Sequence, residues 1–507
     1  MKRNKRSLIL AIALIVVAAV AALAQTPINI TVAPGQTVTI TVTGVSAPPA
    51  PSIATPTCGK SNNRTTLVPA DWDTFVPPAK GKSYVDPTFG CTVTRITDSS
   101  RDVLDWSGTK YLPESHGYSQ VSPFNANDTY LMLGSSAGHF VTDLAGNMVV
   151  GYAAMPNCNN SQSCTIANGS NDTWFAWDAT NPAVFYYTFQ NYMMKGTIAP
   201  PAVAVSVLHQ FTEYPFINFM DKMDVSYDGK HVVIVGGDNT GKSPENAFSY
   251  DFTTNTKGPV YTTACTGLIN GPNNSCLHSI TQTVKNDLLI DFAPDGPGPE
   301  QGQKLWNGTL PMPHVQDYTN HIDNGLDRNG VPVFIGLNNG GTVAGDVNAC
   351  ASGWGLDVRQ LYDITKAVCL LDEVLPHPLP AWHTSYRGGG PNQPWVAFSF
   401  FDNSTPGPEW FSNAPTYAAP TAANWLLYQD EIILVRIDAE NNPANVYRLA
   451  RAYSRSAEDF NSNPKAAISR DGKYVSFDSN MAYAKAGCPA NFQTPTNCTD
   501  VYVIKVR

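Results

Sequence analysis

Charge is scarce in this chain. Only 14% of its 507 residues are Asp, Glu, Lys or Arg, and 32 basic against 41 acidic residues leave a net charge of −9. No basic stretch follows the first six residues, which excludes an electrostatic nucleic-acid partner. Histidine is rare, nine in all. No Cys-x-x-Cys pair exists, so metal binding by thiolates is disfavoured. No long apolar run occurs after residue 24, and no later segment could cross a bilayer as a helix. Neither an Asp-box repeat nor a carboxylate pair at a defined spacing stands out, which weakens a hydrolase reading.

What is present reads as turn-rich β structure: 38 Gly, 39 Pro and abundant Asn and Thr. The first 24 residues have the anatomy of a secretory signal. Lys2, Arg3, Lys5 and Arg6 precede an apolar stretch from Leu8 to Leu23, and Ala22-Leu23-Ala24 offers a small-x-small cleavage site. The chain is therefore expected outside the cytoplasm, secreted, periplasmic or on the cell surface, with no membrane contact after cleavage. Ten cysteines form five sequential couples, Cys58/Cys91, Cys158/Cys164, Cys265/Cys276, Cys350/Cys369 and Cys488/Cys498. Disulfides suit an oxidising compartment, although ten cysteines permit many connectivities. Residues 25–57 hold a polar hairpin, "INITVAPGQTVTITVTG", and a stiff spacer, "APPAPSIATP".

From residue 91 a loose pattern of strand, turn and apolar strand recurs. It reads "SHGYSQVSPFNANDTYLML", "TWFAWDATNPAVFYYTF", "MDKMDVSYDGKHVVIVGG", "LHSITQTVKNDLLIDF", "NHIDNGLDRNGVPVFIGL", "WHTSYRGGGPNQPWVAFSFF" and "NPKAAISRDGKYVSFDS". Most units are followed by one or two further strands, which makes each a four-stranded blade. The expectation is an all-β, seven-bladed β-propeller over residues 58–507. The last unit ends in "DVYVIKVR" without an outer strand, so "CTVTRITD" (91–98) is expected to complete that blade and close the ring.

The repeats "SYDGKHVVIV" and "SRDGKYVSF" resemble those of TolB-like propellers. The order "RITD" then "SHGYSQVSPFNANDTYLML" is similar to the oligogalacturonate lyases, and ulvan lyases are a second comparable group of propeller lyases. The resemblance spans about residues 91–507 and is architectural.

Counting back six residues from the one before each turn gives a register. Ser122 leads to His116, Ser226 to Met220, Val284 to His278, Asp327 to His321, Gly389 to His383 and Ser469 to Asn463. Innermost strands run alike around the axis, so equivalent residues share a height and a facing direction. His278, His321 and His383 belong to consecutive units and become candidate metal ligands; the competing reading is polar hydrogen bonding across the channel. The lyase resemblance implies a divalent cation (Mn, Ca or Zn) on these histidines plus a glutamine. Three residues before the middle histidine this chain has Tyr318 instead.

Eliminative cleavage of a uronate needs a neutralised carboxylate and a base. The base candidates are His116, Lys222, two residues past Met220, and Arg387. The ulvan-lyase resemblance implies an early histidine pair, matched in spacing by His116 and His139. Tyr118, Trp174 and His139 are candidate substrate-binding residues, although core packing is the commoner use of a Trp. The functional expectation is a binder of acidic oligo- or polysaccharide, candidate polysaccharide lyase included; the alternative is a non-catalytic scaffold that displays a protein- or glycan-binding face.

Overall fold

In the computed structural model the described residues are 28–33, 36–40 and those from 55 onward, excluding 106, 157–174, 220–223, 238–243, 267–276, 293–301, 317–321, 340–348, 352–353, 373–380, 387–392, 402–420, 424, 439–441, 456–459, 484–486 and 493–497. The chain divides at residue 52 into a small N-terminal unit and a large one. In the first, Ile28–Ala33 and Gln36–Ile40 pair as an antiparallel hairpin.

The second unit is a seven-bladed β-propeller, one antiparallel sheet per blade. The first blade holds Tyr130–Ser135, Gly138–Asp143 and Met148–Val150. The second runs from Ala176–Trp177 to Ala202–Gln210, the third from Phe216–Phe219 to Tyr261–Thr266, and the fourth from Leu277–Gln282 to His314–Gln316. The fifth spans Asp323–Leu326 to Asp363–Asp372, and the sixth Ala381–Ser385 to Val446–Arg451. Among the described residues every regular element longer than three residues is a strand, and no helix is long and apolar enough to cross a membrane.

The recurring Ser-x-Asp-Gly-Lys stretch has a local cause. Ser226 Oγ accepts from the backbone of Lys230 (3.3 Å) and His231 (3.0 Å), while Gly229 takes φ +72°. Ser469 Oγ does the same for Lys473 and Tyr474, both at 3.1 Å, with Gly472 at φ +73°. The side chain satisfies turn N–H groups, and glycine enters the left-handed region without a Cβ penalty. The strand that follows, His231–Gly237, is apolar on both faces because blades sandwich it, and Val232, Val233 and Ile234 are fully buried. Tyr186, Val233, Phe248 and Ile290 join one core that links the second, third and fourth blades.

Closure uses both ends of the chain. The seventh blade takes Ala467–Ile468, Tyr474–Ser479 and Asp500–Lys505 from the C-terminal side, then Thr92–Arg95 and Ser83–Val85 from the N-terminal side. Arg95 pairs with Asp500 at 2.8 Å in a buried setting, and Ser99 N–H donates to the same carboxylate at 2.7 Å. The arm before this strand also adds Lys60–Ser61 to the edge of the sixth blade. Arg448, sealed beside Glu431, donates to the Thr65 carbonyl at 2.8 Å, and Arg455 reaches Asp73 at 2.9 Å. Cys58–Cys91, Cys350–Cys369 and Cys488–Cys498 are disulfides, which fits an oxidising compartment. The couples Cys158/Cys164 and Cys265/Cys276 lie outside the described side chains.

Candidate functional site

The first blade departs from the repeat where the register count began. Its turn is anchored by Asn125, whose Oδ1 accepts from Thr129 N (2.8 Å) and Tyr130 N (3.0 Å). Ser122, the residue from which His116 was counted, lies before this turn. Phe124 bridges Leu131 and Ser115 bridges Gly134. The inner segment therefore spends nine residue steps where its partner strand spends three, and the stretch from His116 to Ser122 leaves the sheet. His116 is thus not level with the other register positions. A second correction concerns the fourth blade. Its turn closes on Thr283, whose Oγ1 accepts from Lys285 and Asp287 N–H, both at 3.2 Å, one residue earlier than Val284. The pairing shifts between Leu277 and Ser279, so His278 sits at a bulge, which re-aims a strand residue. Its side chain, and all of His321, Lys222, Arg387 and Trp174, lie outside the described residues.

The excursion runs as a strap past three other blades. His116 N–H donates to Asp478 Oδ1 of the seventh blade at 3.0 Å. Gly117 turns at φ +89°. Tyr118 places its ring edge-on to His383 of the sixth blade, centroids 5.2 Å apart at 84°. Gln120 Nε2 donates to the Ile322 carbonyl, just ahead of the first strand of the fifth blade. Trp177 of the second blade fixes the far end, donating to Pro123 O at 2.8 Å. Tyr118 is only 8% exposed and His383 is buried, so the strap covers both rings.

Between the strap and the first blade lies a cavity of about 20 Å³ lined by His116, Gly117, Ser122, Gly134, His139 and Phe175. That is room for about one water molecule. His139 lies opposite Gly134 in the strand pair. A Cβ at Gly134 would meet the His139 ring at 3.5 Å, an ordinary contact, so the imidazole lies directly over this glycine. His139 is half-buried and meets Phe175 edge-on at 4.5 Å. His116 and His139, the pair matched in spacing above, thus face one space.

Beneath His116 sits a lysine that sequence reasoning passed over. Lys465 Nζ lies 3.3 Å from Asp478 Oδ2, with both side chains essentially buried. Its signal was legible: Lys465 follows Asn463 by two residues, the offset that singled out Lys222 after Met220. Burial, then the Lys465 charge, pushes the His116 imidazole down to about 3. Burial pushes Asp478 up to about 7 against the pull of Lys465. Two residues before His116, burial also raises Glu114, with Asp102 and Asp500 adding to it. Among the described residues one trio of potential metal ligands approaches closely, Cys350, Cys369 and Asp372. Its sulfurs are joined in a disulfide and cannot act as thiolates.

No protein-family model matches the chain, and no curated protein sequence does. Solved structures with a similar fold include an oligogalacturonate lyase in complex with manganese, at 10% identity and TM-score 0.45, covering 84% of this chain and 96% of that one. An oligogalacturonate lyase from Vibrio parahaemolyticus is similar at 8% identity and TM-score 0.45, over the same shares. TolB from Acinetobacter baumannii follows at 10% identity and TM-score 0.30, covering 63% of this chain and 60% of that one. The blade count stands on the strand pairing, independently of these likenesses.

Proposed function

We propose that the protein is an exported binder of acidic, uronate-containing polysaccharide that cleaves it by β-elimination at the first-blade end of the channel. The observation that carries this reading is the cavity shared by His116 and His139, one imidazole buried and perturbed, the other reachable by water. Perturbed titratable groups in a concave site are the usual mark of chemistry. In the reaction a base takes the proton beside the carboxylate, that electron pair forms the new C=C bond, and the bond from C4 to the glycosidic oxygen breaks. The departing oxygen takes a proton from water. Lys222 and Arg387 are further basic candidates, and Tyr118 and Trp174 candidate sugar contacts.

His278, His321 and His383 would hold a divalent cation. His383, the one with a described side chain, offers an imidazole nitrogen, a donor suited to Mn or Zn rather than to oxygen-seeking Ca. Bound there, the ion would lower the cost of the carboxylate's developing charge.

The test is incubation with pectate fragments and ulvan, with and without a chelator, followed by the ultraviolet absorbance of unsaturated uronates. Product formation supports the reading; none across a broad panel of uronates refutes cleavage. The second reading, a non-catalytic display scaffold, is favoured by the enclosure of Tyr118 and His383 under the strap. Saccharide capture without product would establish it.

A further inference from the structure

We propose that Lys465 is a positioning residue: its buried ammonium, held by Asp478, keeps the sealed His116 imidazole uncharged, so that of the two imidazoles lining the cavity His139 alone takes up a proton and proton abstraction falls to it. This deepens the reading above and rests on it.

The geometry supplies the reason. The Asp478 carboxylate is already engaged, one oxygen by the His116 backbone N–H at 3.0 Å and the other by Lys465 at 3.3 Å. The His116 ring comes no nearer to it than 3.7 Å, from Nε2 to Oδ1, beyond a hydrogen bond. The acceptors beside the ring are the backbone carbonyls of Pro464 and of His116 itself, and their pull towards the imidazolium is outweighed by burial and by the Lys465 charge. A proton taken up by His116 would seal a second cation beside the Lys465 ammonium, across the Asp478 carboxylate. In acid the position worsens, because Asp478 itself protonates near 7. Glu114 is pushed towards its neutral form, and His139 faces the ring across the cavity. Among the described residues no further carboxylate acts on His116 to favour an imidazolium. His139 differs because it is half-exposed, and water can solvate the cation it forms.

Imidazole-labelled nuclear magnetic resonance of the full chain tests this without turnover, with His116→Gln assigning the signal. His116 is expected to stay neutral from pH 8 to about pH 4.5. Lys465→Met should raise its midpoint by about one pH unit or more, and Lys465→Arg should restore the wild-type curve. A wild-type midpoint near 6.5, or identical curves for wild type and Lys465→Met, overturns the proposal. Should Lys465→Met fail to fold, Asp478→Asn serves: it keeps the lysine, and His116 must remain neutral, whereas a cationic His116 above pH 5 refutes the idea. If products form, His139→Gln should reduce kcat far more than His116→Gln; the reverse pattern counts against the assignment. Failure to form any unsaturated product would sink the lyase reading while leaving the titration to stand or fall by itself.

Discussion

The first and seventh blades are neighbours, and they differ in almost every respect. The seventh has five strands drawn from both ends of the chain. Its turn is capped by Ser469 and Asp471, and its seam is tied by Arg95 and Asp500. Among the described residues the first has three strands and no regular inner one, because His116 to Ser122 swing out to other blades. One blade satisfies each local rule; the other breaks the strand pattern at a histidine. Sites commonly sit where local and global preferences disagree, and this contrast separates what holds the ring shut from the segment that borders the His116–His139 cavity.

The comparison can be broken most forcefully at the seam. Arg95→Met leaves Asp500 buried without its partner and should cost about 3–5 kcal/mol, read from the midpoint of denaturant unfolding. The same measurement on Tyr118→Leu, in the strap, should give a clearly smaller loss. Next in size, removing Cys58–Cys91 by Cys58→Ser with Cys91→Ser should cost about 2–4 kcal/mol, seen as a lower melting temperature under non-reducing conditions.

The pH dependence comes third. Asp478 and Asp500 have folded-state values near 7 and near 6, raised above 3.8 by burial. Their contribution is complete below about pH 4 and is lost as pH rises through 6 to 7. His116 acts with the opposite sign. Its value falls from 6.5 to about 3, so its contribution is present above 6.5 and is lost as pH falls towards 3. Stability should therefore be greater at pH 5.5 than at pH 8. Asp478→Asn should remove about 1 kcal/mol of that difference between pH 6 and 8. An unchanged slope would show that the buried pair does not titrate there. The smallest effect is expected from Gly134→Ala. Its methyl meets His139 at an ordinary 3.5 Å, so stability should change by less than about 0.5 kcal/mol, while space beside His116 shrinks and saccharide binding weakens.

The blade pattern was legible because it is local. Ser226, Asp228 and Gly229 mark a turn by their own hydrogen bonds and backbone freedom, and "HVVIV" marks the strand that follows. The strap was not legible. "SHGYSQVSPFNANDTYLML" has a strand-like start, and nothing local says that Asn125 rather than Ser122 anchors the turn. That choice depends on Tyr118 meeting His383 and on Gln120 reaching Ile322, contacts between residues about 200 or more apart in sequence. The same limit moved His278 to a bulge, since a single extra residue leaves composition and alternation almost unchanged. The Cys58–Cys91, Cys350–Cys369 and Cys488–Cys498 couples followed from nearest-neighbour spacing. The His116–His139 cavity needed the strap, while Lys465 needed only the register offset already applied to Lys222.

The pairing of Tyr502 with Arg95 also governs how this molecule comes into being. Joining strands some four hundred positions apart is a high-contact-order step, and such steps are slow. Six blades can assemble progressively from neighbouring hairpins, but the circle is completed only when the final strand arrives. Until then both flanking sheet edges stay open to pairing with foreign strands. Dilution or a chaperone at that moment should decide the yield of native rings.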